Sequence, residues 1–281
     1  MNIHNKQNDS AACLEAITNL INDEQSIYHN KLMVVTLGGS RLYNTALTES
    51  NDVDINAIYI CDTEDILGID EMRKKHFVQS ISNTSDKNRL EGVDDFVVYE
   101  LSRFVHLLIT GNPSPIDILF GCKDSLHVTL DSTSETEWSE IFKIRNQFLT
   151  KELVKNMVGY AKSQMNVAIK RKEQQDHVHS IKSLYHGVRI LMEASRILDG
   201  NEPCIRFQQD DPNLTKILKI RSGSLCFEQG RDLYQDLSEQ IKNKSCILPD
   251  VVSDETKQWL HDWMIRLRLS RLRYKPANKS N

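Results

Sequence analysis

Residues 37–60 read LGGSRLYNTALTESNDVDINAIYI: a glycine turn, a short spacer, then Asp52 and Asp54 one residue apart in a β-branched and aromatic run. The apolar stretch KLMVVTL (31–37) before the turn reads as a buried strand stopped by Gly38-Gly39. Residues 52–60 read as the next strand, with a short helix expected over 41–48. Strand residues two apart point to the same face, so Asp52 and Asp54 project together. Two carboxylates held that close repel each other, and burying them unpaired is costly. A divalent cation removes the conflict, because Mg2+ (or Mn2+) prefers oxygen ligands and takes one or two carboxylates together with substrate phosphates.

A polyphosphate also needs a seat. Gly38, Gly39 and Ser40 lie between a strand and an expected helix and offer backbone N–H groups, a hydroxyl and little steric obstruction; Arg41 adds a cation. Taken singly, a D-x-D pair reads as a solvated strand edge and GGS as a turn. The combination carries the functional reading.

The wider chain constrains it. With 281 residues, 40% hydrophobic and 26% charged, it has the composition of a soluble globular protein. The formal charge of −4 supplies no overall pull toward nucleic acid or anionic membrane, so such binding needs a local patch. No apolar run approaches the roughly 20 residues of a membrane span, and the polar start MNIHNKQNDS is not a secretory signal. The six cysteines are scattered without zinc spacing, which suits free thiols in a reducing cytoplasm; His177 and His179 are too close in sequence to share a helical face.

Helical apolar spacing marks 11–22, and DFVVYEL (95–101) reads as a strand running into a helix over 102–111. Residues 61–93 read as polar and irregular, with 82–88 the most loop-like. From Thr150 the pattern is almost wholly helical, through Gly200 and Pro203, with further helices expected near 226–243 and 254–273. The expectation is an α/β unit over 1–145, carrying the catalytic site, and a helical unit over 146–281 closing the cleft.

The segment GSRLYNTALTESNDVDI, with eleven residues between Ser40 and Asp52, resembles the signature of the DNA polymerase beta nucleotidyltransferase superfamily. It is most similar to the predicted nucleotidyltransferases associated with RNA repair, found in bacteria and large phages, whose motif runs G-S-x-x-Y-G and then S-D-x-D. Gly39, Ser40, Tyr43, Ser50, Asp52 and Asp54 stand in place, while Asn44 replaces a usual glycine and Asn51 is inserted. The segments VVYELSRFVHLLITGNPSPIDILFG and KSLYHGVRILMEASRILDG extend the likeness across roughly residues 30–200.

The resemblance implies an α+β fold: a polymerase-beta-like mixed sheet with flanking helices and a helical C-terminal domain. It implies metal-dependent transfer of a nucleoside monophosphate from a nucleoside triphosphate to an acceptor hydroxyl. Asp52 and Asp54 would hold the metals, with Gly38, Gly39, Ser40, Arg41 and Tyr43 binding nucleotide. A third carboxylate is expected among Asp94, Asp95, Glu100 and Asp117; Asp95 is favoured because it opens the strand expected beside 52–60. On the helix 179–198, Lys182, His186 and Arg189 share one face and suit a triphosphate. The acid-free C-terminus RLRLSRLRYKPANK, with Arg266, Arg268, Arg271, Arg273, Lys275 and Lys279, is the one patch suited to an RNA acceptor; the same run also suits a helix end complementing its own dipole. The alternatives are a nucleotide- or RNA-binding protein of this fold without turnover, and a module that regulates a partner protein.

Overall fold

The computed structural model describes residues 2–4, 11–22, 28–47, 52–63, 66, 79–82, 93–122 and 127–271. Ser50, Asn51 and most of 61–93 therefore lie outside the described residues, as do Arg273, Lys275 and Lys279. A six-stranded mixed sheet is built from β1 (Asn2–His4), β2 (Leu32–Leu37), β3 (Asp54–Tyr59), β4 (Gln79–Ser82), β5 (Asp95–Glu100) and β6 (His127–Thr129), in the order β1-β6-β2-β3-β5-β4. The described α-helices are α1 (Ala11–Asn22), α2 (Gly39–Leu42), α3 (Leu101–Ile109), α4 (Pro113–Gly121), α5 (Ser132–Lys143), α6 (Lys151–Glu173), α7 (His177–Leu198), α8 (Pro212–Arg221), α9 (Phe227–Lys242) and α10 (Asp254–Ser270), with a short 3-10 helix over Arg145–Phe148. The chain thus has the expected mixed sheet flanked by helices, followed by a helical C-terminal region.

The topology fixes where chemistry can gather. Strand β2 runs antiparallel to β3 with Leu37 opposite Ile55, so the glycine turn after β2 lands beside the start of β3. Strand β5 runs parallel to β3 with Asp95 opposite Asp54, so its start lies at the same end of the sheet. Three segments separated in sequence therefore converge at one sheet end. All six residues of β2 are buried, as expected for a central apolar strand.

Local signals explain the helix boundaries. Glu100 caps α3, accepting from Ser102 N at 2.7 Å, and Asn112 caps α4 ahead of Pro113 at its first position. Thr150 caps the long α6. Helix α2 is a single turn rather than the expected 41–48, because Asn44 at φ 59° turns the chain into the left-handed region. Sequence periodicity also missed α5, α8 and the short strands β1, β4 and β6, which are too brief or too polar to show it.

One apolar cluster runs from Ile17 through the sheet to Trp263 and Leu267 on α10. A second lies among α6, α7, α8 and α9, around Leu184, Val188, Ile217 and Phe227. Helix α7 contributes to both, so nearly its whole circumference after Lys182 is covered. The five described cysteines beyond Cys13 are free thiols, and among the described residues no helix is long and apolar enough to cross a membrane.

Candidate active site

Asp54 opens β3 and is half-buried; Asp52, two residues earlier, is exposed, and Asp95 is its exposed neighbour on β5. Burial, and after it the charge of Asp95, pushes the Asp54 carboxyl above the ordinary range; Asp52 and Asp94 add to this, while Lys182 opposes it. Asp52, Asp54 and Asp95 are therefore electrostatically one group, and Lys182 on α7 faces it.

The glycine turn is fitted to that group. Gly38 N donates to Asp54 O at 2.7 Å, and Gly39 has φ 51°, a left-handed conformation that favours glycine. A Cβ at Gly39 would lie 1.7 Å from Asp54 Oδ2, so only glycine lets the turn approach the carboxylate this closely. Ser40 is buried, and its carbonyl accepts from Thr45 N at 2.8 Å, closing the loop after α2. Arg41 Nε donates to Asp52 O at 2.7 Å, so this cation grips the backbone of an aspartate.

The other acids considered for the third position have separate partners. Asp94 Oδ2 accepts from Val53 N at 2.8 Å and fastens the strand start. Glu100 is buried, caps α3 and pairs with Arg268 at 2.6 Å. Asp117 accepts from the Tyr43 hydroxyl at 2.6 Å and pairs with Arg189 at 3.5 Å. Asp95 alone of the four stands at the sheet end beside Asp54 without such a tie among the described residues.

The stripe on α7 does not present three equivalent groups. Lys182 is exposed, His186 is half-buried and Arg189 is only 3% exposed. The guanidinium of Arg189 lies 3.6 Å from the centroid of the Tyr43 ring and reaches Asp117, so Arg189 and Tyr43 are buried against each other. Burial, helped by Arg189, Lys182 and Arg221, lowers His186 to about 3, which makes it a neutral imidazole at pH 7. Glu193, two turns beyond His186, is buried and accepts from Cys204 N at 2.8 Å; burial pushes it up to about 8, against the pull of Arg189.

Several contributors escape sequence reasoning. The segment around Arg206 and Phe207 backs the turn: Phe207 N donates to Tyr43 O at 3.2 Å, Asn44 Nδ2 to Phe207 O at 2.9 Å, and Arg206 Nη1 to Arg41 O at 2.9 Å. Asn44 thus does more than stand in for glycine, because it tolerates the left-handed backbone and bonds the helical region. Tyr185 and Thr45 share a 2.7 Å hydroxyl contact, and Arg221 lies 5.2 Å from the Tyr185 ring. The Asp211-Pro212 pair, a cap followed by a first-turn proline, was the available signal for the helix that delivers Arg221.

Among the described residues no three His, Cys, Asp or Glu side chains form a complete metal cage. Asp52, Asp54 and Asp95 are oxygen donors, the ligand type that a hard divalent cation prefers.

The RlaP family model, described as RNA repair pathway DNA polymerase beta family, matches residues 12–224. A solved nucleotidyltransferase-like protein from Exiguobacterium sibiricum 255-15 is similar at 10% identity over 92% of this chain and 81% of that one, with a TM-score of 0.32. No curated protein matches the chain.

Proposed function

The chain belongs to the RNA repair pathway DNA polymerase beta family, a nucleotidyltransferase family, and from that premise we propose metal-dependent transfer of a nucleoside monophosphate to an acceptor hydroxyl. The nucleoside triphosphate is the donor and pyrophosphate the leaving group. The observation that carries this reading is the convergence of Asp54, Asp95 and the Gly39 turn at one sheet end.

Asp52 and Asp54 are the residues to hold the cation, which when bound neutralises charge on the transferring phosphate and acidifies the acceptor hydroxyl. Asp95 lies beside Asp54 and is the group to take the hydroxyl proton. The acceptor oxygen then bonds to the α-phosphorus as its bond to the β-phosphate oxygen breaks, and that oxygen leaves with pyrophosphate. Backbone N–H groups of the turn and the Ser40 hydroxyl orient the phosphates, Lys182 offsets the gathered negative charge, and Arg41 fixes the backbone of Asp52. The family's description makes an RNA end the first acceptor to test, with protein side chains and small molecules as the others.

The test is incubation with α-labelled ATP, GTP, CTP and UTP, Mg2+ or Mn2+, and a mixture of cellular RNA and protein. Label is expected on an acceptor with the wild type and at least 100-fold less with Asp52→Asn/Asp54→Asn, following the scale of lost electrostatic catalysis. Nucleotide binding without transfer under every condition would overturn the enzyme in favour of a binding protein.

A further inference from the structure

Asp54 and Asp95 are held by the sheet itself, since each opens a strand and the two stand opposite each other in the ladder. Asp52 lacks that support, because it precedes β3. Its backbone is fastened by Arg41, whose Nε donates to Asp52 O at 2.7 Å. Where the Asp52 carboxylate points therefore depends on where Arg41 sits.

Arg41 is itself held from the helical region. Helix α2 ends one residue later, so Arg41 O is among the carbonyls that the helix cannot satisfy from within. It accepts from Asn44 N at 3.2 Å and from Arg206 Nη1 at 2.9 Å. Arg206 is only 7% exposed, and the residues on either side of it are anchored. Before it, Cys204 N donates to Glu193 on α7, and Ile205 is buried in the main core. After it, Phe207 is buried in the second core and is tied by two hydrogen bonds to Tyr43 and Asn44. The Arg206 guanidinium is thus a donor fixed by both cores and aimed at the backbone of the residue that holds Asp52.

We propose that Arg206 is a positioning residue for the cation site: through Arg41 it fixes Asp52 so that Asp52 and Asp54 take the same divalent ion. This rests on the nucleotidyltransferase reading. Outer groups that orient a metal's ligands govern its affinity without touching it. The helical region thereby sets metal affinity at the sheet end while supplying no ligand through this contact, since a guanidinium has no lone pair to give.

The experiment is an electron paramagnetic resonance titration of Mn2+ into the wild type, Arg206→Met, Arg206→Lys, Arg41→Met, the double variant Arg41→Met/Arg206→Met, and Ile205→Ala, with thermal unfolding of each. Ile205→Ala loosens the same segment without touching the arginines, so it reports what a purely structural loss does. The proposal expects Arg206→Met to weaken Mn2+ by about tenfold or more, and Arg206→Lys, which keeps a donor, to weaken it less. Arg41→Met should weaken Mn2+ similarly, with no further loss in the double variant, because both changes break one line of contacts. Ile205→Ala should lower the Tm and leave Mn2+ affinity unchanged. In the transfer assay, raising Mn2+ should restore the rate of Arg206→Met. Arg41→Met tests the same line of contacts where Arg206→Met is too unstable to purify. Wild-type Mn2+ affinity in either variant would overturn the proposal, as would additive losses in the double variant, an equal Mn2+ loss in Ile205→Ala, or a wild type that binds no Mn2+. Mn2+ affinity independent of Arg206 in a protein that still transfers would remove the positioning role and leave the enzymatic reading standing. Arg206-dependent Mn2+ binding in a protein that transfers nothing would support the positioning role while removing the enzyme.

Discussion

Asp54 sits half-buried between Gly39 and Asp95, and its surroundings disfavour its charge. The folded chain therefore keeps the Asp54 proton in a pH range where the unfolded chain has released it. That contribution to stability is fully present below the ordinary carboxylate pKa and is lost as pH rises through the raised folded value. Asp54→Asn removes the dependence, so its urea midpoint should gain on that of the wild type as pH rises from 3 to 7. Saturating Mg2+ should narrow the gap, because a cation favours the ionised wild-type carboxylate. A difference that stays constant with pH would mean that Asp54 is not electrostatically strained. The motif itself was legible in the sequence, but the expected strand over 52–60 begins only at Asp54, which leaves Asp52 exposed in the segment before it. The role of Asn44 was not legible. A left-handed φ and a bond to Phe207 depend on a partner 163 residues away, and no local pattern encodes that.

At the scale of elements, α7 shows where helical spacing stops being informative. Spacing correctly puts Lys182, His186 and Arg189 on one face, but the covering of that face changes along the helix. Lys182 in its second turn stays exposed and acts on the Asp54 carboxyl, whereas at Arg189 the side chain meets Tyr43 and Asp117 on α4. Burial is set by what packs on the face, so the three residues take different roles. Arg189 and Asp117 form a buried pair, and removing one member leaves an uncompensated charge. Arg189→Met should therefore lower stability by about 3–5 kcal/mol, and adding Asp117→Asn should recover part of this by removing the stranded carboxylate. Urea unfolding of the single and double variants checks both signs. A single variant as stable as the wild type would show that the pair carries no such constraint.

At the scale of the whole molecule, the chain closes on itself through α10, whose Leu260, Trp263 and Leu267 enter the main core. The same closure changes the meaning of the basic C-terminal run. Arg266 grips Glu140 with both terminal nitrogens, Arg268 pairs with buried Glu100 at 2.6 Å, and Arg271 pairs with Glu137. The acids that pair with these three arginines lie more than 120 residues earlier, so a local charge count of the C-terminal run does not show them. The two kinds of pair predict different results. Arg266→Gln breaks an exposed pair and should change stability by no more than about 1 kcal/mol. Arg268→Gln weakens the pairing of a carboxylate that is only 1% exposed, and should cost about 3–5 kcal/mol, since it leaves that charge largely uncompensated. Neither should alter Mn2+ affinity in the folded protein, because Glu100 lies at the opposite end of β5 from Asp95. If Arg266→Gln left stability unchanged yet reduced the salt dependence of RNA binding, that guanidinium would be exchanging Glu140 for a phosphate, and the C-terminal helix would belong to the acceptor surface after all.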